Sequence, residues 1–407
     1  MERLQKLFEK APVLRVARRE VRMMMAHPSL PALLIAMPIA LSLLFATIYR
    51  HQVVTDIPVA VWDGDHSTLS RLIVRSLDAT RSIQVVRTVT GMDEAEELMR
   101  RGEIQGAVWI PQGLEEDIKR GTPASVVVYK SSFNLIVGNA LLKDATAVVR
   151  TVSAGIVMRK FRSAGMTEEE ALALANPIRL ESNNLYNPCY NYESYFVPCL
   201  IAAMFQMLVM VAAVVPFGSE REAGTLRDVL RMADGKIGAA LAGKALPQMV
   251  LHAATTLFFV GILFPCFGIP VHGSVPVLMA FMFIGTLASY AVGSFFALLF
   301  RSRLMATEAA VFLSTPAVLF SGYTFPLEAM PGIHSFFAQI LPFTSFFAGF
   351  VKIYQYGAGP GDVGKEVGTA CIFIGLALAG SWMMLSKVRG TTSSDVANRA
   401  EGVLYEA

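Results

Sequence analysis

The chain has 407 residues, of which 54% are hydrophobic and only 16% charged, with a mean hydropathy of +0.50. Soluble domains carry about 25% charged residues, so this balance points to a membrane protein. A net charge of +3, dispersed along the chain, excludes a nucleic-acid partner, and six scattered histidines and four cysteines without a CxxC pair indicate no metal site.

Residues 1–28 carry Leu4, Leu7, Phe8, Ala11, Leu14, Val21, Met24 and Met25 near a 3.6 period, with Arg15, Arg18, Arg19 and Arg22 among them. The pattern predicts a cytoplasmic amphipathic helix, either lying on the inner membrane surface or packed against a partner. Residues 29–49 begin a series of apolar stretches near the length of about 20 residues that spans a bilayer. Five more follow at 194–217, 245–268, 275–300, 307–325 and 366–386. The first contains Met37-Pro38, a kink, and no cleavage site follows it, so it is expected as a permanent anchor.

Residues 50–193 are too long for a connecting loop and predict an extracytoplasmic α/β domain. Strands are expected at 57–62, 83–89, 107–110 and 125–129, alternating with helices at 68–77, 93–101 and 114–119, before a long helical region over 134–175. Asp63 and Asp65 flank Gly64; the pattern reads as a turn before it reads as a metal site.

Basic residues set the orientation. They cluster in 1–28, at Arg221, Arg227, Arg231, Lys236 and Lys244 after the second apolar stretch, at Arg301 and Arg303, and at Lys387 and Arg389. Both termini are therefore expected in the cytoplasm, with 218–244 a cytoplasmic loop that opens on the charged, helix-forming segment 219–230, 194–386 carrying spans two to six, and 387–407 a polar cytoplasmic tail. Polar groups within the spans are few: Gln206, His252, Thr255, Thr256, Thr286, Ser289, Tyr290, Glu308, Ser314 and Thr315. The hydroxyls are expected to bond their own helix backbone, and Glu308 to pair with Arg301 and Arg303 near the inner interface. So little intramembrane charge argues against an ion-coupled carrier. Pro326, Pro331 and Pro342 break the aromatic-rich stretch 326–350, as a segment lining a cavity or lying on lipid would require.

No catalytic set is present. Gly238–Lys244 and Gly359–Lys365 both fit GxxxxGK, but neither is followed by Ser or Thr and each runs into an apolar stretch, so neither is a nucleotide site.

Three segments carry a family resemblance. Glu220-Arg221-Glu222-Ala223-Gly224-Thr225-Leu226 resembles the "E-R-E-x-G-T" signature of ABC-type exporter permeases of the second type. Ser321-Gly322-Tyr323-Thr324-Phe325-Pro326-Leu327-Glu328-Ala329-Met330-Pro331, with Leu341-Pro342-Phe343-Thr344, is similar to that family's "S-G-x-x-F-P-x-x-x-M-P … L-P" element. Ile57-Pro58-Val59-Ala60-Val61-Trp62-Asp63-Gly64-Asp65 is similar to its "I-P-V-A-V-x-D-x-D" opening of the outer domain.

The resemblance implies a membrane α-helical fold of six transmembrane helices with the α/β domain inserted between the first two. It implies a permease subunit of the bacterial inner membrane, working as a homo- or heterodimer with a P-loop ATPase that holds the ATP and magnesium. The chain itself would bind no cofactor. Glu220, Arg221, Glu222, Gly224, Thr225 and Leu226 would couple to the ATPase, and Ser321, Gly322, Phe325, Pro326, Met330, Pro331 and Pro342 would form a re-entrant gate. The expected cargo is amphiphilic or apolar, such as a drug or lipid, with membrane lipid and a periplasmic adaptor as further partners. The alternative is an envelope interaction or mechanotransmission protein that moves no cargo. One departure, Met232-Ala233-Asp234-Gly235 where relatives often carry Thr-Pro, leaves the exit of the coupling loop open.

Overall fold

The computed structural model describes residues 11–26, 29–48, 54–131, 134–167, 169–170, 185–186 and 192–405. The expectations on Leu4, Leu7 and Phe8, and on residues 171–184, lie outside these. The chain divides into two compact units, His51–Asn184 and Met1–Arg50 with Leu185–Ala407.

The His51–Asn184 unit is an α/β fold. Its four strands are β1 (Ile57–Asp63), β2 (Ile83–Thr88), β3 (Gly106–Ile110) and β4 (Val127–Lys130), in the order β2-β1-β3-β4. β1 is parallel to both neighbours, with Ala60 opposite Ala107, whereas β4 runs antiparallel to β3. Val59, Ala60 and Val61 are all buried, as expected for a central strand covered on both faces. Short helices connect the strands: α3 (Thr68–Asp78) and α4 (Met92–Arg100) are the crossovers between parallel strands, and α5 (Leu114–Arg120) joins β3 to antiparallel β4. After β4 comes α6 (Leu135–Ser163), which starts at Asn134, whose side chain accepts from the N–H groups of Ile136 and Val137. It ends at Ser163, inside the expected helical region 134–175, where the N–H groups of Gly165 and Met166 turn back onto the carbonyls of Arg162 and Phe161; residues 169–170 are helical again, and 171–175 lie outside the described residues. The Asp63 carboxylate accepts from the N–H groups of Asp65 and His66 and from the Ser70 hydroxyl, and Asp65 accepts from the N–H of Glu115. Both acids thus serve the turn and a helix start.

The second unit is helical. α1 (Pro12–Ala26) and α2 (Ser29–Ile48) precede the sheet in sequence. α7 (Tyr192–Glu222), the short α8 (Leu226–Met232), α9 (Ile237–Phe258), α10 (Val275–Leu299), α11 (Arg303–Ser314), α12 (Gly332–Ile340), α13 (Pro342–Tyr354) and α14 (Gly364–Tyr405) follow it. A π-helical turn, Phe259–Leu263, extends α9, and a 3-10 stretch, Thr315–Ser321, extends α11. Among the described residues five helices are long and apolar enough to cross a membrane, and α12 with α13 forms a further broken candidate bent by 83°. α2 contributes a shorter apolar run, Leu34–Phe45.

As its charged, helix-forming start over 219–230 leads one to expect, the 218–244 loop is largely helix: α7 continues through Glu222, α8 follows and α9 begins at Ile237, because Glu and Arg are good helix formers and extend a span past its apolar part. Two boundaries differ from expectation. The broken segment reaches Tyr354 rather than 350, and the tail continues α14 to Tyr405. Thr255, Thr256, Thr286, Ser289, Ser314 and Thr315 all donate to the carbonyl four residues earlier, as their place in apolar helices requires. Glu308 is exposed, and the Arg303 guanidinium lies 3.8 Å from Glu222 instead. Among the described residues Glu308 pairs with neither Arg301 nor Arg303, the two arginines expected beside it; Arg303 is five residues away on the same helix, a spacing that does not share a face.

Candidate functional site: a charge junction at Glu220 and a broken helix after α11

Glu220 lies near the end of α7 and is 1% exposed. A carboxylate so deep needs compensation by ions and hydrogen bonds. α1 supplies Arg19, whose two terminal nitrogens reach both Glu220 oxygens, at 2.7 and 3.0 Å. Such a fork matches carboxylate geometry. α9 supplies Lys244, whose Nζ is 3.1 Å from Glu220, 2.7 Å from Glu20 of α1 and 2.9 Å from the Pro216 carbonyl. The Thr225 hydroxyl closes the set by donating to Glu220 Oε2. Two acids and two bases therefore balance in a junction of α1, α7 and α9 whose Glu20, Glu220 and Lys244 are buried and whose Arg19 reaches partly into solvent.

The spacing of the motif now has a physical reading. α7 stops at Gly224, whose φ of +71° is a left-handed cap conformation costly for other residues. The turn carries Thr225 back, its N–H donating to the Glu220 carbonyl at 2.9 Å and its hydroxyl to the carboxylate. Arg221 donates to the carbonyl of Leu298 at the end of α10, where helix carbonyls lack internal partners. Glu222 accepts from the N–H of Arg303 at 2.8 Å, at the start of α11, where a carboxylate suits the free N–H groups. Three consecutive charged residues thus tie α7 to α1 and α9, to α10, and to α11.

Glu220 and Leu226 face inward, while Glu222, Ala223, Gly224, Arg227 and Asp228 are exposed. Beyond α8 the chain leaves through Asp234 (φ +53°) and Gly235 (φ +71°), and Asp234 pairs with Arg15 at 2.5 Å. The loop exit left open by the sequence is therefore a left-handed turn pinned to α1.

Sequence reasoning missed Arg19 and Lys244 as partners of Glu220, and Glu20 as the second acid on Lys244. The sequence hinted at burial but not at the partner: Glu20 falls in the apolar face of α1, and Lys244 follows the glycine of a false nucleotide motif. Gly243 has its own reason. A Cβ there would stand 2.6 Å from the Val16 Cβ and 2.7 Å from the Val13 carbonyl, so glycine lets α1 and α9 touch.

The second candidate element follows α11. Ser321 and Pro342 are buried, while Phe325 is 51% exposed. Gly322 turns the chain, Pro326 precedes the short 3-10 turn Leu327–Ala329 that Met330 ends, and Pro331 precedes α12. Tyr323 stacks on Tyr195 of α7 with ring centres 4.4 Å apart. The Tyr195 hydroxyl donates to the Tyr323 carbonyl at 3.0 Å, and the Tyr323 hydroxyl donates to the Tyr195 carbonyl. Phe347 of α13 packs edge-on against Tyr323 at 5.0 Å, and the Thr344 hydroxyl donates to the Phe320 carbonyl. The element is thereby tied to both α7 and α13.

Comparison with known proteins places these features. Residues 29–383 match the family described as ABC-2 family transporter protein. The chain is 32% identical over 163 residues to the probable multidrug ABC transporter permease YbhR of Escherichia coli, a match covering 38% of the chain and 42% of that relative. It is 23% identical to the E. coli inner membrane transport permease YhhJ over 74% of the chain and 78% of the relative. The probable multidrug ABC transporter permease YbhS is 21% identical over 88% of the chain and 93% of its own length. With the match running from α2 into α14, across both the Glu220 junction and the broken helix, the chain belongs to the ABC-2 family of transporter proteins.

Proposed function

We propose that the chain is the membrane permease subunit of an ATP-driven exporter, energised by a separate P-loop ATPase and working as a dimer. The observation that carries this is the Glu220 junction: the exposed turn and α8 sit directly on a charged knot that reaches α1, α7, α9, α10 and α11. In this reading a partner ATPase docks on the exposed residues Glu222 to Gly224, Arg227 and Asp228. Glu220, Arg221 and Thr225 pass the displacement inward, and Leu226 seats α8. The 321–342 element gates the far end through its tie to Tyr195.

The orientation argued from the basic residues puts the junction in the cytoplasm, both termini with it, and the α/β unit outside the inner membrane. The cargo we infer is amphiphilic or apolar, in keeping with spans that carry few charges and with relatives named as multidrug permeases. ATP and magnesium belong to the partner; a periplasmic adaptor would contact the α/β unit. That unit has a compact core of its own, which favours a second reading, mechanical signalling across the envelope without cargo.

The test is to purify the tagged chain with its ATPase and to compare Ala223→Trp, an exposed change outside the junction. The expected outcome is loss of the co-purifying ATPase and of ATP-dependent efflux at an unchanged melting temperature. Normal binding and efflux would sink the docking assignment. Efflux that never appears while the ATPase stays bound and its activity responds to a ligand of the α/β unit would establish the signalling reading.

A further inference from the structure

α1 is tied to α9 by Val16 at Gly243 and by the Glu20–Lys244 pair. Alongside these contacts the two helices leave an open groove of about 670 Å³. Its walls include Leu14, Val21 and Met25 from α1 and Leu246, Val250 and Ala254 from α9. The apolar walls are uncovered: Met25 is 71% exposed and Val250 65%. The α9 wall lies within Ile237–Cys266, a stretch long and apolar enough to cross a membrane. From Leu246 to Ala254 it runs roughly 12 Å at about 1.5 Å per residue, a length suited to much of an acyl chain.

The charges beside the groove sort themselves. Arg15 pairs with Asp234 and Arg19 with Glu220. Arg18 and Arg22 are exposed, one helical turn apart, and have no ion-pair partner among the described residues; Arg18 lines the groove. A slot with apolar walls, one guanidinium (Arg18) in its lining and a second (Arg22) one turn further along the same helix, neither ion-paired among the described residues, fits a molecule with a hydrocarbon body and an anionic head. We propose that this groove binds an anionic phospholipid, one acyl chain against Leu246, Val250 and Ala254 and the phosphate on Arg18 and Arg22. A peptide helix or a second copy would cover the apolar walls but would leave the two guanidinium groups unmatched unless it also brought acids to them.

The test titrates the detergent-purified full chain with phosphatidylglycerol or phosphatidylcholine of identical acyl chains and counts retained lipid by native mass spectrometry. The expected result is at least tenfold stronger retention of phosphatidylglycerol, a preference erased in Arg18→Ala/Arg22→Ala. Val250→Trp, at an exposed position that folding tolerates, should reduce retention of both lipids by filling the slot. Equal retention of the two lipids, a preference that survives loss of both arginines, or retention indifferent to Val250→Trp would each overturn the proposal. So would Met25→Cys cross-links between two copies across the groove.

Discussion

Lys244 Nζ lies 2.7 Å from the Glu20 carboxylate, and both side chains are at most 5% exposed. Removing one member of a buried pair leaves the other charge without compensation, at a cost of about 3–5 kcal/mol. Lys244→Met should therefore lower the melting temperature of the purified permease sharply. The double change Lys244→Met/Glu20→Gln keeps the junction neutral, with Arg19 still forked onto Glu220, and should recover most of that loss. A double variant no more stable than Lys244→Met would show that the pair does not act as a charge-compensated unit.

Gly243 and Gly238 make opposite predictions within the same GxxxxGK run. A Cβ on Gly243 meets Val16 and the Val13 carbonyl inside 3 Å, whereas on Gly238 the nearest atom is the Trp382 ring at 3.7 Å. Gly243→Ala should loosen α1 at a cost of about 1–3 kcal/mol from overpacking, read as faster amide exchange over 12–26. Gly238→Ala should be neutral or slightly stabilising, since alanine is the better helix former. Equal exchange in the two variants would exclude the close approach as the reason for Gly243.

How far the sequence reached follows from these residues. The sheet was legible because β1 and β3 carry short apolar runs bounded by Gly, Pro and Asp, so local pattern and burial agree. The helical spans were legible from length and apolarity alone, their ends less so, because charged helix formers such as Glu220 and Arg221 do not stop a helix. The interior of the Glu220 junction was not legible. Arg19, Lys244 and Glu220 are separated by 201 and 24 residues, and no local period reports which side chains a fold brings together. The same holds for Tyr195 and Tyr323.

The Tyr195–Tyr323 pair separates two contributions. Tyr323→Phe keeps the ring against Tyr195 and Phe347 but loses the hydrogen bond to the Tyr195 carbonyl, a change of about 1 kcal/mol. Tyr323→Ala also removes the ring contacts, about 0.5–1.5 kcal/mol for each aromatic pair beyond its buried area. Amide exchange over 321–330 should rise slightly in the first and strongly in the second. If exchange is unchanged in Tyr323→Ala, the element is held by α13 alone.

The α/β unit carries a pH dependence at Glu115. Its carboxylate takes Lys119 Nζ at 2.7 Å and the Thr68 hydroxyl at 3.1 Å. Lys119 foremost, then Ser67, the Leu69 N–H and Thr68, hold its pKa at about 2 against an ordinary 4.5, with desolvation opposing them. A carboxylate whose folded pKa is depressed stabilises the fold while it stays ionised. That contribution is complete above about 4.5 and is lost as pH falls through about 2. Protection of the Leu69 and Ser70 amides at the start of α3 should therefore decline across this window in the full chain. Glu115→Gln should show reduced protection at neutral pH and a flat profile below it, because the amide neither ionises nor holds Lys119. A wild-type profile that is also flat from 4.5 to 2 would mean that the Glu115 contacts do not hold α3 to α5.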